Sequence, residues 1–205
     1  METNRVHQSR TAQVWRAGGM IWLVSVTLLF ALLDLYFAKL RLLPTASIGT
    51  VLSLITAILF LLCIRMLGLA KKLPVEKSGE ELQRGSSMRK WFIAILILEI
   101  AGLNIASITL LKLNHFQYIV PVDILIVSLH FIPLARIFAM PIYYFLGIIV
   151  SLIAILSMLL VPVSSQIGNL ITIAAIPSLC FIFFNWITII YILRDGMKYL
   201  LNKPL

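Results

Sequence analysis

Three ionisable residues lie deep inside apolar stretches of this sequence: Glu99, Asp123 and His130. An ionisable side chain at bilayer depth is costly, and it commonly serves a proton, an ion or a polar solute. Glu99 and His130 lie about 12 Å and about 9 Å from the cytoplasmic ends of consecutive apolar segments, at about 1.5 Å per residue. Consecutive antiparallel helices usually pack together. We therefore expect Glu99 and His130 to approach within hydrogen-bonding reach, directly or through one water.

The residues that follow Glu99 predict which face of its helix turns inward. Gly102, Ala106 and Thr109 follow it at three, seven and ten residues. Such a stripe of small side chains lets membrane helices approach closely, so it should face protein and not lipid. Asn104 points about 140° away from Glu99 at about 100° per residue, so it should lie outside the cluster.

The later segments add polar groups at matching depths. Asp123 precedes His130 by seven residues and shares its face, and Pro133 removes a backbone hydrogen bond nearby. Tyr144 of the fifth segment and Asn185 of the sixth lie at the depth of the Glu99–His130 pair. These residues form a predicted polar core of Glu99, Asp123, His130, Tyr144 and Asn185.

Two interpretations of this core stay open. It binds a proton, an ion or a small polar solute, which predicts transport, or it only holds the helices together. In the second case the protein is a structural or regulatory subunit that acts through a partner. The sequence has no HExxH, GxSxG, Walker, CxxC or Rossmann motif, so we predict no enzyme activity and no cofactor. A metal site is weakly supported, because it would combine a single histidine, His130, with two carboxylates, Glu99 and Asp123, that lie at different depths.

The composition shows which solvent surrounds these residues. The 205 residues are 61% hydrophobic and 12% charged, and the mean hydropathy is +1.04. Soluble domains carry about 25% charged residues. The composition therefore excludes a soluble domain, a disordered chain and a nucleic-acid-binding module, although the net charge is +9. Membrane lipid is the predicted surrounding.

Six apolar segments are each long enough to cross a hydrocarbon core of about 30 Å. Backbone groups in lipid must be satisfied internally, so these segments are expected to be helices. We predict an all-α integral membrane bundle of six transmembrane helices in a single membrane domain, 1–205. The spans cover residues 18–38, 46–69, 91–111, 116–135, 138–161 and 168–193, and a cytoplasmic loop covers residues 71–90.

The distribution of basic residues predicts the orientation. Of the 17 Lys and Arg residues, thirteen lie in the two tails, the 71–90 loop and the connection at Arg136. Three lie in the opposite connections, and the last, Arg65, is near the inner end of the second span. This asymmetry predicts that both termini are cytoplasmic. Asp34 and Arg65 lie near span ends, where snorkelling explains them.

Part of the chain resembles a known protein family. The matching residues are Tyr118-Ile-Val-Pro121, His130-Phe-Ile-Pro-Leu-Ala-Arg136 and Pro141-Ile-Tyr-Tyr144. They resemble a bacterial family of small multi-pass membrane proteins of unknown function, over about residues 91–160. The resemblance implies an inner-membrane setting and carries no activity or site residue. Two kinds of protein partner are compatible with the sequence itself: a second copy of the chain, and a different protein that docks on the 71–90 loop.

Overall fold

The computed structural model describes residues 13–14, 17–27, 43–72, 79–162, 164, 166–167 and 170–202. Most of them belong to six helices: α1 (Ala17–Thr27), α2 (Leu43–Lys71), α3 (Gly79–Lys112), α4 (Ile119–Phe138), α5 (Ile142–Leu160) and α6 (Thr172–Asn202). A 3₁₀ turn, Phe116–Tyr118, precedes α4. Two short antiparallel strands, β1 (Gln166–Ile167) and β2 (Leu170–Ile171), lie between α5 and α6. The predicted all-α bundle is confirmed.

Within the described residues, five helices are long and apolar enough to cross a membrane. The spanning stretches are Thr50–Lys71, Ser86–Lys112, Phe116–Phe138, Ile142–Leu160 and Ile173–Lys198. The first predicted span is represented by the shorter apolar helix α1, and its residues 28–38, including Asp34, lie outside the described residues. Leu98 and Leu159 are each 74% exposed, as expected of side chains that face lipid. The protein is a multi-pass helical membrane protein.

The polar connection predicted over residues 71–90 is shorter than expected. Helix α3 begins at Gly79, twelve residues before the predicted start at Trp91. Glu, Leu, Gln, Arg and Met are good helix formers. The polar residues before Trp91 therefore continue the apolar helix instead of ending it. Residues 73–78 of the predicted loop lie outside the described residues.

Two other predicted boundaries differ from the structure. The fifth span was expected from Phe138, but Phe138 ends α4, and Ala139 adopts a left-handed conformation with φ 51°. A residue in this conformation ends a helix, and α5 begins after Pro141. The sixth span was expected over 168–193, but α6 runs from Thr172, after β2, to Asn202.

The centre of the bundle is formed by α4, α5 and α6, with α3 packed on α4 and α2 packed on α6. α1 contributes buried core residues that include Met20 and Val24. The helices α4 and α5 approach closely at Gly147. A Cβ atom on Gly147 would lie 2.9 Å from the backbone oxygen of Ser128. Ser151, one turn further along α5, lies with its hydroxyl 2.7 Å from that of Ser128. This contact fixes α4, which carries His130.

Candidate functional site

The predicted approach of Glu99 and His130 is confirmed. The Nδ1 atom of His130 lies 3.2 Å from Oε1 of Glu99. The side chains are 7% and 4% exposed, respectively. The distance is that of an ion pair, although the alignment falls short of a hydrogen bond. A buried acid and base are therefore in direct contact between α3 and α4.

Both members of the pair keep unused hydrogen-bonding capacity. The second carboxylate oxygen of Glu99, Oε2, is buried and has no hydrogen-bond partner among the described residues. The same holds for Nε2 of His130. A buried polar atom without a partner costs free energy, so most such atoms in proteins are satisfied. The pair can therefore accept or donate a further hydrogen bond on either side.

A tight connection brings the two helices into register. Helix α3 ends at Lys112, and Asn114 adopts a left-handed conformation with φ 58°. Asn tolerates this conformation well, which permits a sharp reversal. The amide of His115 donates to the carbonyl of Leu110 at 2.8 Å. Because the reversal is short, residues at equal distances from it meet across the interface.

Small residues allow α3 to lie against α4. A Cβ atom on Gly102 would lie 3.5 Å from Cγ2 of Ile126, so Gly102 faces α4 as predicted. Towards the end of α4, the rings of Phe92 and Phe138 lie 6.1 Å apart between centroids. The pair of Glu99 and His130 lies between these two apolar contacts. Apolar contacts therefore join α3 to α4 on both sides of the ionisable pair.

Asp123 takes part in a second polar contact at the same interface. The hydroxyl of Ser107 donates to Oδ1 of Asp123 at 3.4 Å. Asp123 is half-buried and lies seven residues before His130 on α4. That separation is about 10 Å along the helix at about 1.5 Å per residue. The interface of α3 and α4 thus carries two polar contacts at different depths.

Tyr144 and Asn185 were expected to complete the polar core. Tyr144 is half-buried and packs against the apolar core, with no hydrogen bond to the pair in the described part of the chain. Asn185 is fully buried, and neither atom of its amide has a hydrogen-bond partner among the described residues. Ser178 lies seven residues earlier on the same face of α6. It is also buried, and its hydroxyl has no hydrogen-bond partner among the described residues. The described contacts do not join these residues to Glu99 or His130.

Other details of the predicted faces are corrected by the structure. Thr109 is exposed and does not continue the inward stripe of α3. It lies about 80° from Glu99, on the side opposite Ser107, at about 100° per residue. Pro133 is also exposed, so the backbone bond that it removes is not beside the pair. Asn104 lies outside the cluster, as predicted: it is exposed and donates to the carbonyl of Ile100 at 2.7 Å.

Sequence reasoning missed Ser107 and Ser128. Ser107 lies eight residues after Glu99, about 80° around α3 on the side opposite Thr109, at about 100° per residue. Ser128 lies two residues before His130 and bonds to Ser151. A search for hydroxyl groups at the depths of Asp123 and Ser151 would have found both.

Arg65 is exposed near the end of α2, as its predicted snorkelling requires. Among the described residues, no three His, Cys, Asp or Glu side chains lie together as a metal centre requires. The chain was compared with protein families, curated proteins and solved structures, and none of them matches. The resemblance of the α4–α5 segment to a bacterial membrane family therefore stays a prediction.

Proposed function

We propose that this protein moves a proton, an ion or a small polar solute across the membrane through a polar core around Glu99, Asp123 and His130. The observation that supports this function is the buried pair of Glu99 and His130, in contact at 3.2 Å. The resemblance of the α4–α5 segment supports the inner membrane of a bacterium as its location.

A purely structural role explains this pair poorly. Interhelical hydrogen bonds in membranes contribute only about 0.6–2 kcal/mol. Leaving buried polar atoms unpaired costs about 1–3 kcal/mol each, and Oε2 of Glu99 and Nε2 of His130 are both unpaired among the described residues. Apolar contacts such as Gly102 with Ile126 already hold α3 on α4. Apolar residues in place of the pair would give a bundle of similar or greater stability.

The geometry supports an acid–base role. A proton can pass between Oε1 of Glu99 and Nδ1 of His130 after a small change in alignment, because the atoms lie 3.2 Å apart. Oε2 and Nε2 are then available to a second partner. Asp123, about 10 Å further along α4, is too distant for direct transfer. Water or the transported solute must bridge this distance during transport.

Purified protein in lipid vesicles tests this proposal. A potassium gradient with valinomycin sets the membrane potential, and an enclosed pH-sensitive dye reports proton entry. We expect proton entry above that of protein-free vesicles. Glu99→Gln should abolish the excess, and His130→Ala should weaken it. Thr109→Val, an exposed position on the same helix, is the matched control and should retain it.

Each variant is first checked for an unchanged unfolding transition, so that loss of fold is not read as loss of function. Wild-type flux equal to that of protein-free vesicles contradicts proton movement by this protein. Wild-type flux that Glu99→Gln leaves unchanged contradicts the assigned role of the pair.

A further inference from the structure

The outer face of α3 has the residue spacing of a helix-pairing seam. Its members alternate at intervals of three and four residues, and all are exposed: Ala94, Ile97, Ala101, Asn104, Ile108 and Leu111. This is the heptad spacing by which one helix packs along another. The small side chains of Ala94 and Ala101 would allow a close approach of two backbones. We call these six residues the outer seam.

Asn104 distinguishes the outer seam from an ordinary lipid-facing surface. It lies eight residues before Lys112, about 12 Å into the membrane at about 1.5 Å per residue. Its Nδ2 atom donates to the carbonyl of Ile100 at 2.7 Å. The carboxamide has a second N–H and an acceptor oxygen, and lipid tails offer no partner for either. In the described parts of the five spans, Asn104 is the one exposed side-chain amide.

The other side of α3 is already occupied, since it packs on α4 through Gly102 and Ser107. The exposed face of α5 offers a comparison. Its exposed residues include Phe145, Ile148 and Leu152, which are all apolar and suited to lipid. The outer seam therefore combines small residues with an amide that has one N–H and its oxygen left to bond, and the lipid-facing surface of α5 does not.

We propose that the outer seam of α3 packs against the same seam of a second copy of this chain, with the two Asn104 amides bonded to each other. A carboxamide is both donor and acceptor, so it is complementary to itself. A two-fold axis brings the same residue of each copy together and so makes this pairing reciprocal. A single Asn among apolar seam residues fixes the register and the number of helices. This dimer does not depend on the proposed transport function.

Disulfide cross-linking in lipid vesicles tests the dimer. In a background with Cys63→Ser and Cys180→Ser, Ala101→Cys should form a covalent dimer even at high lipid dilution. Leu152→Cys on α5 is the control for random collision and should cross-link only at low lipid dilution. Both positions are exposed in the monomer.

The role of Asn104 is measured by the dependence of dimer fraction on the protein-to-lipid ratio. Asn104→Leu should raise the dissociation constant about 3- to 30-fold, the range for interhelical hydrogen bonds in bilayers. Thr109→Val should leave the constant unchanged, because Thr109 is exposed on α3 outside the seam. A monomer at every lipid ratio, equal cross-linking at both cysteines, or an unchanged constant for Asn104→Leu would overturn the proposal.

Discussion

At Gly147, a single added methyl group should destabilise this bundle. In Gly147→Ala, the added Cβ would lie 2.9 Å from the backbone oxygen of Ser128 and 3.0 Å from Cγ1 of Ile132. An ordinary carbon–oxygen contact is about 3.3 Å or longer. Helices α4 and α5 must therefore separate by about 0.4 Å or more. The clash is with backbone, so no side-chain rotation relieves it.

Overpacking of this kind costs about 1–3 kcal/mol. Alanine recovers up to about 1 kcal/mol of helix propensity relative to glycine. The net loss in free energy of unfolding should then be about 0–2 kcal/mol, and the loss relative to a glycine-to-alanine change at an uncrowded helix position should be about 1–3 kcal/mol. Separation of the helices also lengthens the bond of 2.7 Å between Ser128 and Ser151, which adds to the loss.

Unfolding of the purified protein in mixed micelles, followed by circular dichroism, measures this loss. Gly68→Ala is the matched control, because a Cβ on Gly68 of helix α2 meets nothing within 4 Å. We expect Gly68→Ala to be neutral or slightly stabilising. Equal stability of the two variants would refute the close approach of α4 and α5 at Gly147.

Three further predictions concern packing and orientation. Trp186→Phe removes the hydrogen bond of 3.1 Å from Nε1 to Thr56 and should lower the free energy of unfolding by about 0.6–2 kcal/mol. In a Thr56→Val background, where this bond is already absent, Trp186→Phe should cost less. An equal cost in both backgrounds would show that the loss of the bond is not what destabilises the variant. Gly102→Leu should cost about 1–3 kcal/mol by overpacking the interface of α3 and α4, and an unchanged unfolding transition would show that the helices are not in contact there. The third prediction uses protein without native cysteines in intact cells. An impermeant maleimide should label Ser164→Cys directly but Ser86→Cys only after permeabilisation, because the basic residues predict that α3 begins in the cytoplasm. The opposite labelling pattern would reverse the predicted orientation.

Hydropathy alone predicted the helical spans, because crossing a membrane requires long apolar segments whatever their packing. It located their ends less well. The start of α3 at Gly79 was missed because the residues between Gly79 and Trp91 are mostly polar, although several of them are good helix formers. The left-handed Ala139 between α4 and α5 has no sequence signal, since alanine seldom adopts this conformation.

The contact between Glu99 and His130 could be predicted because it depends on the depth of each residue in its span and on the short connection between α3 and α4. Both quantities follow from counting residues along the sequence. The contribution of Ser107 was missed because Thr109 was taken as the continuation of the inward stripe. The face of α3 that meets α4 is centred slightly towards Ser107, and only the packing of the two helices decides this. Tyr144 and Asn185 share the depth of the pair, but depth does not fix which way a helix is rotated.

The central claim is that protons from water reach the buried pair of Glu99 and His130. The nitrogen chemical shifts of His130 test this claim most directly. The protein has 3 histidines, and ¹⁵N-histidine labelling in lipid bilayers with a His130→Ala reference assigns the signals of His130. We expect the ring nitrogen signals of His130 to show deuterium exchange after transfer to D₂O, at a rate that differs in Glu99→Gln, because the proposed path brings protons from water to the pair. Ring nitrogen signals that show no deuterium exchange, or that exchange at the same rate in Glu99→Gln, would contradict the account and make the pair a sealed structural contact.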